Sequence, residues 1–235
     1  MSMEEVDRII DNALNEGRHS LLETEARALI SHWDIPVPGS VLITGSEIPE
    51  FSMAGFDPPF VLKVISRDIL HKTEVKGVIT GLRDRDDVMN ALIRMKRDLE
   101  ENAPQARIEG FLLEEFVPRG VEVIIGGMRD PQFGPVVMFG TGGIMVELMK
   151  DVSFRLAPLD KGEAMAMMED VRGYPLLTGY RGSKPVDREM LASVIVKLSD
   201  IITKIEVIRE IEINPLFAYE DGVMAVDARV ILEER

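Results

Sequence analysis

Phe60-Val-Leu-Lys63-Val-Ile65, continuing through Ser-Arg-Asp-Ile-Leu-His71-Lys-Thr-Glu-Val-Lys76-Gly77-Val78, is the stretch whose reading decides the fold. It opens as a short apolar run with one lysine inside it. It then turns into a polar loop with a histidine, two further lysines and a glycine. A short apolar run of this kind, bounded by turn residues, reads as a buried strand. An ammonium in such a strand is costly unless an anion meets it. The anion expected here is a nucleotide phosphate, and His71 is the residue expected to receive a phosphoryl group.

Working outward towards the N-terminus, Val6, Ile9, Ile10, Ala13 and Leu14 form one helical stripe that Gly17 ends. Ser20-Leu-Leu-Glu23 reads as a capping box for a second helix with Ala26, Leu29, Ile30 and Trp33 inward. Ser40–Thr44 reads as a strand and Gly45–Ala54 as a short helix. His19 and His32 sit at a loop and a helix end, as structural or solvated side chains.

On the other side, Val78–Leu82 is a return strand, and Asp84–Glu100 is a surface helix with Val88, Leu92, Met95 and Leu99 facing a sheet. Arg107–Val117, Val121–Met128 and Gly134–Phe139 read as a meander of three strands, with a Pro and Gly turn at 129–134. Thr141-Gly-Gly143 is a small glycine loop, Glu147–Arg155 a polar segment, and Lys161–Asp170 a helix. Tyr174–Pro185, with Arg181 and Lys184, is a loop long enough to be functional. Asp187–Lys204 is a strongly apolar-faced helix. Ile208–Ile213 and Val223–Val230 form a hairpin-like pair around Glu220-Asp-Gly222.

The chain has 235 residues, 46% hydrophobic and 29% charged, which suffices for one large domain or two modest lobes. A formal charge of −14 disfavours nucleic acid and anionic membrane as partners. With no cysteine and three histidines, none of them three or four residues from another, disulfides, thiolate chemistry and a histidine-pair metal site are all disfavoured. The composition fits a reducing cytoplasm. No leader and no apolar run of about 18 residues is visible, so neither a signal peptide nor a membrane span is expected.

Three constellations besides His71 carry chemistry. Lys63, fixed on a strand, suits a point contact with phosphate, although a lone strand lysine is also read as a snorkelling edge residue. Glu114-Glu115-Phe116-Val117 at a strand end, followed by Glu122, offers adjacent backbone donors and acceptors for a base edge and a carboxylate for a ribose hydroxyl. In Glu212-Ile-Asn214-Pro215 alternation puts Glu212 and Asn214 on one face, and a hairpin brings Asp227 alongside. Short oxygen-bearing side chains completed by phosphate and water suit Mg²⁺. Each acidic group also reads as a solvated polar face. A neutral imidazole is a competent nucleophile near neutral pH.

Phe60-Val-Leu-Lys63, His71-Lys-Thr-Glu-Val-Lys-Gly77-Val, Leu113-Glu-Glu-Phe-Val, Gly120-Val-Glu122-Val-Ile-Ile-Gly126, Phe139-Gly-Thr-Gly-Gly143, Asp151–Arg155 and Glu212-Ile-Asn-Pro215 with Asp227 occur in this order along almost the whole chain. Together they resemble the ATP-grasp β subunit of ADP-forming acyl-CoA (acetate–CoA) synthetases. More distantly, the set is similar to the nucleotide-binding half of succinyl-CoA synthetase. The resemblance implies an α+β ATP-grasp fold, two lobes clamping a nucleotide, divided as an N-terminal helix (1–19), an N-terminal lobe (20–112) and a C-terminal lobe (113–235).

It also implies roles. Lys63 would contact phosphate, Glu114, Glu115, Phe116 and Val117 would line the adenine, and Glu122 would approach ribose. Asn214 and Asp227 would hold Mg²⁺, and Glu212 would steady a phosphohistidine arriving from the partner subunit. His71 would be a second phosphoryl carrier on a mobile loop. The family pattern there is His-Lys-Ser-Asp-Val-Gly-Gly-Val, and Thr73, Glu74 and Lys76 depart from it. No strand followed by Gly-x-Gly-x-x-Gly occurs, so CoA is expected on a CoA-binding α subunit, and the resemblance implies an α₂β₂ assembly. The implied reaction is ATP + carboxylate + CoA ⇌ ADP + phosphate + acyl-CoA. Alternatives are an ATP-grasp carboxylate–amine ligase, in which His71 has no covalent role, and a noncatalytic nucleotide sensor.

Overall fold

The computed structural model describes residues 3–45, 55, 57–69, 71–143, 146 and 149–233. The chain divides into Pro38–Pro118 and a larger unit made of Met1–Val37 with Arg119–Arg235. The sequence-based division placed residues 20–37 with the first lobe and the boundary after 112. Backbone pairing explains the difference. Leu21 N–H donates to Val230 O (3.0 Å), Leu232 N–H to His19 O (2.9 Å) and Ala225 N–H to Pro36 O (2.8 Å), bonds that no local pattern reports.

The chain opens with α1 (Met3–Asn15) and α2 (Glu23–His32). Val6, Ile10 and Ala13 are the buried positions of α1. The cap of α2 is Leu22 rather than Ser20: the Leu22 N–H donates to the Glu25 carboxylate at 2.8 Å, two residues beyond the expected box. Here an apolar residue caps through its backbone, because the carboxylate one turn on satisfies its free N–H.

The Pro38–Pro118 unit contains β1 (Ser40–Ile43), β2 (Phe60–Ser66), β3 (Val78–Leu82), α3 (Arg85–Asn102) and β4 (Ile108–Glu115). Its sheet has the order β1-β4-β2-β3, antiparallel throughout. Phe60, Leu62 and Val64 share a core with Val88, Leu92, Met95 and Leu99 of α3. The alternate residues Val61, Lys63 and Ile65 fall on the opposite face and are buried as well, which is why β2 reads as an unbroken apolar run. Asp84 caps α3 by accepting the Asp87 N–H at 2.8 Å. The helix expected over Gly45–Ala54 lies largely outside the described residues.

The larger unit continues with β5 (Val121–Asp130), β6 (Gly134–Thr141), β7 (Val152–Leu156), α4 (Lys161–Glu169), the single turn α5 (Tyr174–Leu177), α6 (Arg188–Lys204), β8 (Ile208–Tyr219), β9 (Gly222–Ala225) and β10 (Ala228–Leu232). The strand order is β10-β8-β5-β6-β7, with β9 paired to β8. Helix α6 packs on β5, β6 and β8 through Leu191, Val194, Ile195, Leu198, Ile201 and Ile202, all fully buried. Each contributes about 1.5–3 kcal/mol of burial. Gly127 lets the helix lie close to the sheet: a Cβ there would stand 3.0 Å from Leu198 and 3.2 Å from Ile202.

Three sequence expectations change. The meander does not form, because β4 belongs to one sheet and β5 and β6 to the other. Pro118-Arg-Gly120 breaks the path, and Gly120 passes so close to β8 that a Cβ would stand 2.6 Å from Ala218 O. The segment read as polar contains β7, an edge strand that leaves Phe154 and Leu156 exposed. The hairpin-like pair is three strands, since β8 runs on to Tyr219 and pairs with both β9 and β10. Among the described residues no helix is long and apolar enough to cross a membrane.

Candidate functional site

The β2–β4 register sets Lys63 opposite Leu112 and Val61 opposite Glu114, so Lys63 and Glu114 are diagonal neighbours on the face away from α3. Lys63 Nζ lies 2.8 Å from Glu114 Oε1, with side chains 6% and 2% exposed. The anion that the strand lysine requires is therefore present within the protein, where the sequence pointed to a phosphate. Glu114, expected at the adenine, is buried against Lys63, whereas Glu115 and Phe116 are exposed. Two of the backbone donors beside them are engaged: Glu115 N–H on Gly39 O (2.9 Å) and Phe116 N–H on Pro59 O (3.1 Å).

His71 is exposed, at the start of a segment curled by turn bonds. Glu74 N–H donates to His71 O (3.2 Å), Lys76 N–H to Thr73 O (3.2 Å) and Gly77 N–H to Lys72 O (2.7 Å). Lys76, where the family pattern has glycine, takes φ 57°, the left-handed region open to glycine at no steric cost.

In the larger unit, Glu122 stands opposite Phe217 on β5 and lies under the glycine loop. Its carbonyl accepts the Gly142 N–H at 2.7 Å, and a Cβ on Gly142 would meet Glu122 Cγ at 2.5 Å. On β8, Glu212 and Asn214 do share a face: Asn214 Nδ2 donates to Glu212 Oε1 at 3.2 Å. The Asn214 N–H donates to Asp227 O at 3.1 Å, which sets Asp227 beside Asn214 as expected. With its amide nitrogen turned to Glu212, Asn214 presents its oxygen elsewhere.

These donors test the fit of a metal. Among the described residues no cluster of three His, Cys, Asp or Glu forms a cage. Two oxygen-bearing side chains, Asn214 and Asp227, are the pattern of a Mg²⁺ that takes its other ligands from phosphate and water, so the residues fit the ion. Glu212 is also held by Arg229, whose Nη2 lies 3.3 Å from Oε2, a partner the sequence reading missed although Arg229 is two residues beyond Asp227.

Asp151, the first residue of the Asp151–Arg155 motif, organises the glycine loop. Its carboxylate, 6% exposed, accepts from Thr141 Oγ1 (2.9 Å), Arg172 N–H (2.7 Å) and Gly173 N–H (2.8 Å). Burial pushes its pKa up, but the two backbone donors, the Thr141 hydroxyl and the Arg172 charge together hold it below the ordinary carboxylate value. Asp151→Ala is expected to destabilise the fold by about 3 kcal/mol, since it strands buried donors. Because the folded pKa is depressed, this carboxylate's pH-linked stability is complete above its unfolded value of about 3.9 and is lost as pH falls through the folded value. Urea unfolding between pH 3 and 7 checks both: the variant should be weaker at neutral pH and flatter on the acid side.

A family model described as an ATP-grasp domain matches residues 12–232. The β subunit of acetate–CoA ligase [ADP-forming] I of Pyrococcus furiosus is 42% identical over 224 residues, 95% of this chain and 96% of that one. Two solved structures of the Ca. Korarchaeum cryptofilum dinucleotide-forming acetyl-coenzyme A synthetase 1 are each 42% identical, covering 97% of this chain and 100% of theirs. One, with coenzyme A, acetyl-coenzyme A and a phosphorylated phosphohistidine segment in the site I orientation, has a TM-score of 0.89. The other, with coenzyme A and Mg-AMPPCP and the segment pointing towards the nucleotide binding site, has a TM-score of 0.85. An ATP-grasp match across nearly the full length, with a 42%-identical β subunit covered end to end, settles the family: the chain belongs to the ATP-grasp β subunits of ADP-forming acetate–CoA ligases.

Proposed function

We propose that this chain, assembled as α₂β₂ with a CoA-binding α subunit, catalyses ATP + carboxylate + CoA ⇌ ADP + phosphate + acyl-CoA, with His71 as phosphoryl carrier. The adjacency of Glu212, Asn214 and Asp227 at the β8–β10 junction carries this reading. Lys63, braced by Glu114, contacts nucleotide phosphate; Glu115, Phe116 and Val117 line the adenine and Glu122 the ribose. Asn214 and Asp227 hold Mg²⁺, which when bound neutralises charge on the phosphates.

In the synthetic direction an imidazole nitrogen of His71 attacks the γ-phosphorus, the bond from that phosphorus to the bridging oxygen breaks, and ADP leaves. The exposed segment then passes the phosphoryl group to a histidine on the α subunit, which Glu212 steadies. There acid and phosphoryl group form an acyl phosphate, and CoA displaces phosphate to give the thioester.

The test is a binding and turnover comparison. The chain alone should bind ATP in a Mg²⁺-dependent manner yet make no acyl-CoA, and the assembled enzyme should make it. Asn214→Ala and Asp227→Ala should each weaken Mg²⁺-dependent ATP binding by at least about tenfold. Acyl-CoA formation by the chain alone, or undiminished binding in both variants, contradicts the reading.

A further inference from the structure

We infer that Lys76 and Asp98 form a latch on the histidine segment, a pair of positioning residues that holds it against α3; the inference rests on the carrier role of His71. The segment is fastened at both ends. Upstream, Arg67 Nη2 lies 2.7 Å from Glu109 Oε1, and Asp68 Oδ2 accepts the Arg107 N–H at 2.7 Å. Downstream, Gly77 O accepts the Val64 N–H at 2.9 Å, and a Cβ on Gly77 would collide with Val64 Cγ1 at 2.5 Å. A carrier on such a segment moves between these two anchors, with Lys76 as the last residue before the clamp on β2.

Lys76 also carries a tie. Its Nζ lies 3.6 Å from Oδ1 of Asp98 on α3. Asp98 is 5% exposed, and its other oxygen is 3.6 Å from Arg94 Nε. A carboxylate buried this far depends on the cations that reach it. Arg94 comes from the same helix, one turn away, and contributes wherever the segment stands. Lys76 contributes only while the segment lies against α3. The ion pair thus favours one position of the segment and is given up when the segment leaves, which is what a differential contact between two states must do.

The variants separate backbone from charge. Asparagine tolerates the left-handed conformation but is too short to reach Asp98, whereas arginine retains the cation. In the assembled enzyme, amide exchange of residues 72–77 should speed up about fivefold in Lys76→Asn and in Asp98→Asn, the upper range for a partly exposed ion pair. It should stay at the native rate in Lys76→Arg, and peptides elsewhere should be unaffected in Lys76→Asn. Label carried on His71 should discharge to the partner faster by a similar factor in Lys76→Asn, with KM for ATP unchanged. Native exchange rates in Lys76→Asn overturn the latch. Faster exchange in a protein whose His71 never takes label upholds the tether and overturns the carrier reading instead.

Discussion

Replacing Glu114 by alanine is expected to destabilise the Pro38–Pro118 unit by about 3–5 kcal/mol, because it removes the carboxylate 2.8 Å from a buried ammonium. Lys63→Ala should cost a similar amount by leaving Glu114, 1% exposed, without that cation. The double replacement Lys63→Met with Glu114→Leu should recover most of the loss, since apolar residues of similar size fill the space without a desolvation cost. Denaturant unfolding of the four proteins measures the loss and its recovery. The same set separates structure from function. If Lys63 serves only its strand, the double variant binds ATP normally; if it carries nucleotide phosphate, stability returns and binding does not.

His71→Ala is expected to lower kcat for acyl-CoA formation by about 10⁴-fold or more, the scale on which loss of a covalent nucleophile is felt. ATP affinity should be unchanged, because the imidazole acts only once the nucleotide is bound. Stability should stay within about 0.5 kcal/mol, as for other exposed loop positions. Steady-state kinetics of the assembled enzyme with calorimetric ATP binding gives all three values. A fall in affinity parallel to that in turnover would assign His71 to nucleotide binding rather than phosphoryl transfer.

The strands and helices with strong periodicity were legible in the sequence: β2 with its embedded lysine, α3 behind the Asp84 cap, α6 with its apolar stripe. Adjacency on β8 was legible too, because alternation fixes that Glu212 and Asn214 share a face. What local pattern does not carry is long-range pairing. Residues 20–37 join the C-terminal part through hydrogen bonds to β9 and the β10 strand, some 190 residues or more away in several cases.

The meander failed for the same reason: neighbouring strands usually pair, and here Pro118 to Gly120 sends the chain into a second sheet. β7 escaped notice because an edge strand need not be apolar on either side of the sheet, and its Asp151–Arg155 run mixes charge with aromatic character. The Asp151 hub and the Arg229 pairing of Glu212 were invisible as well, since each depends on a partner brought up by the fold.

The measurement that bears most directly on the carrier role is transfer of label from ATP marked on the γ-phosphate to the assembled enzyme, followed by acid and base treatment and mapping of the labelled peptide. A phosphohistidine role predicts base-stable, acid-labile label on the peptide containing His71, absent from His71→Ala and discharged when carboxylate and CoA are supplied. Label of the same amount on the same peptide in His71→Ala would contradict it.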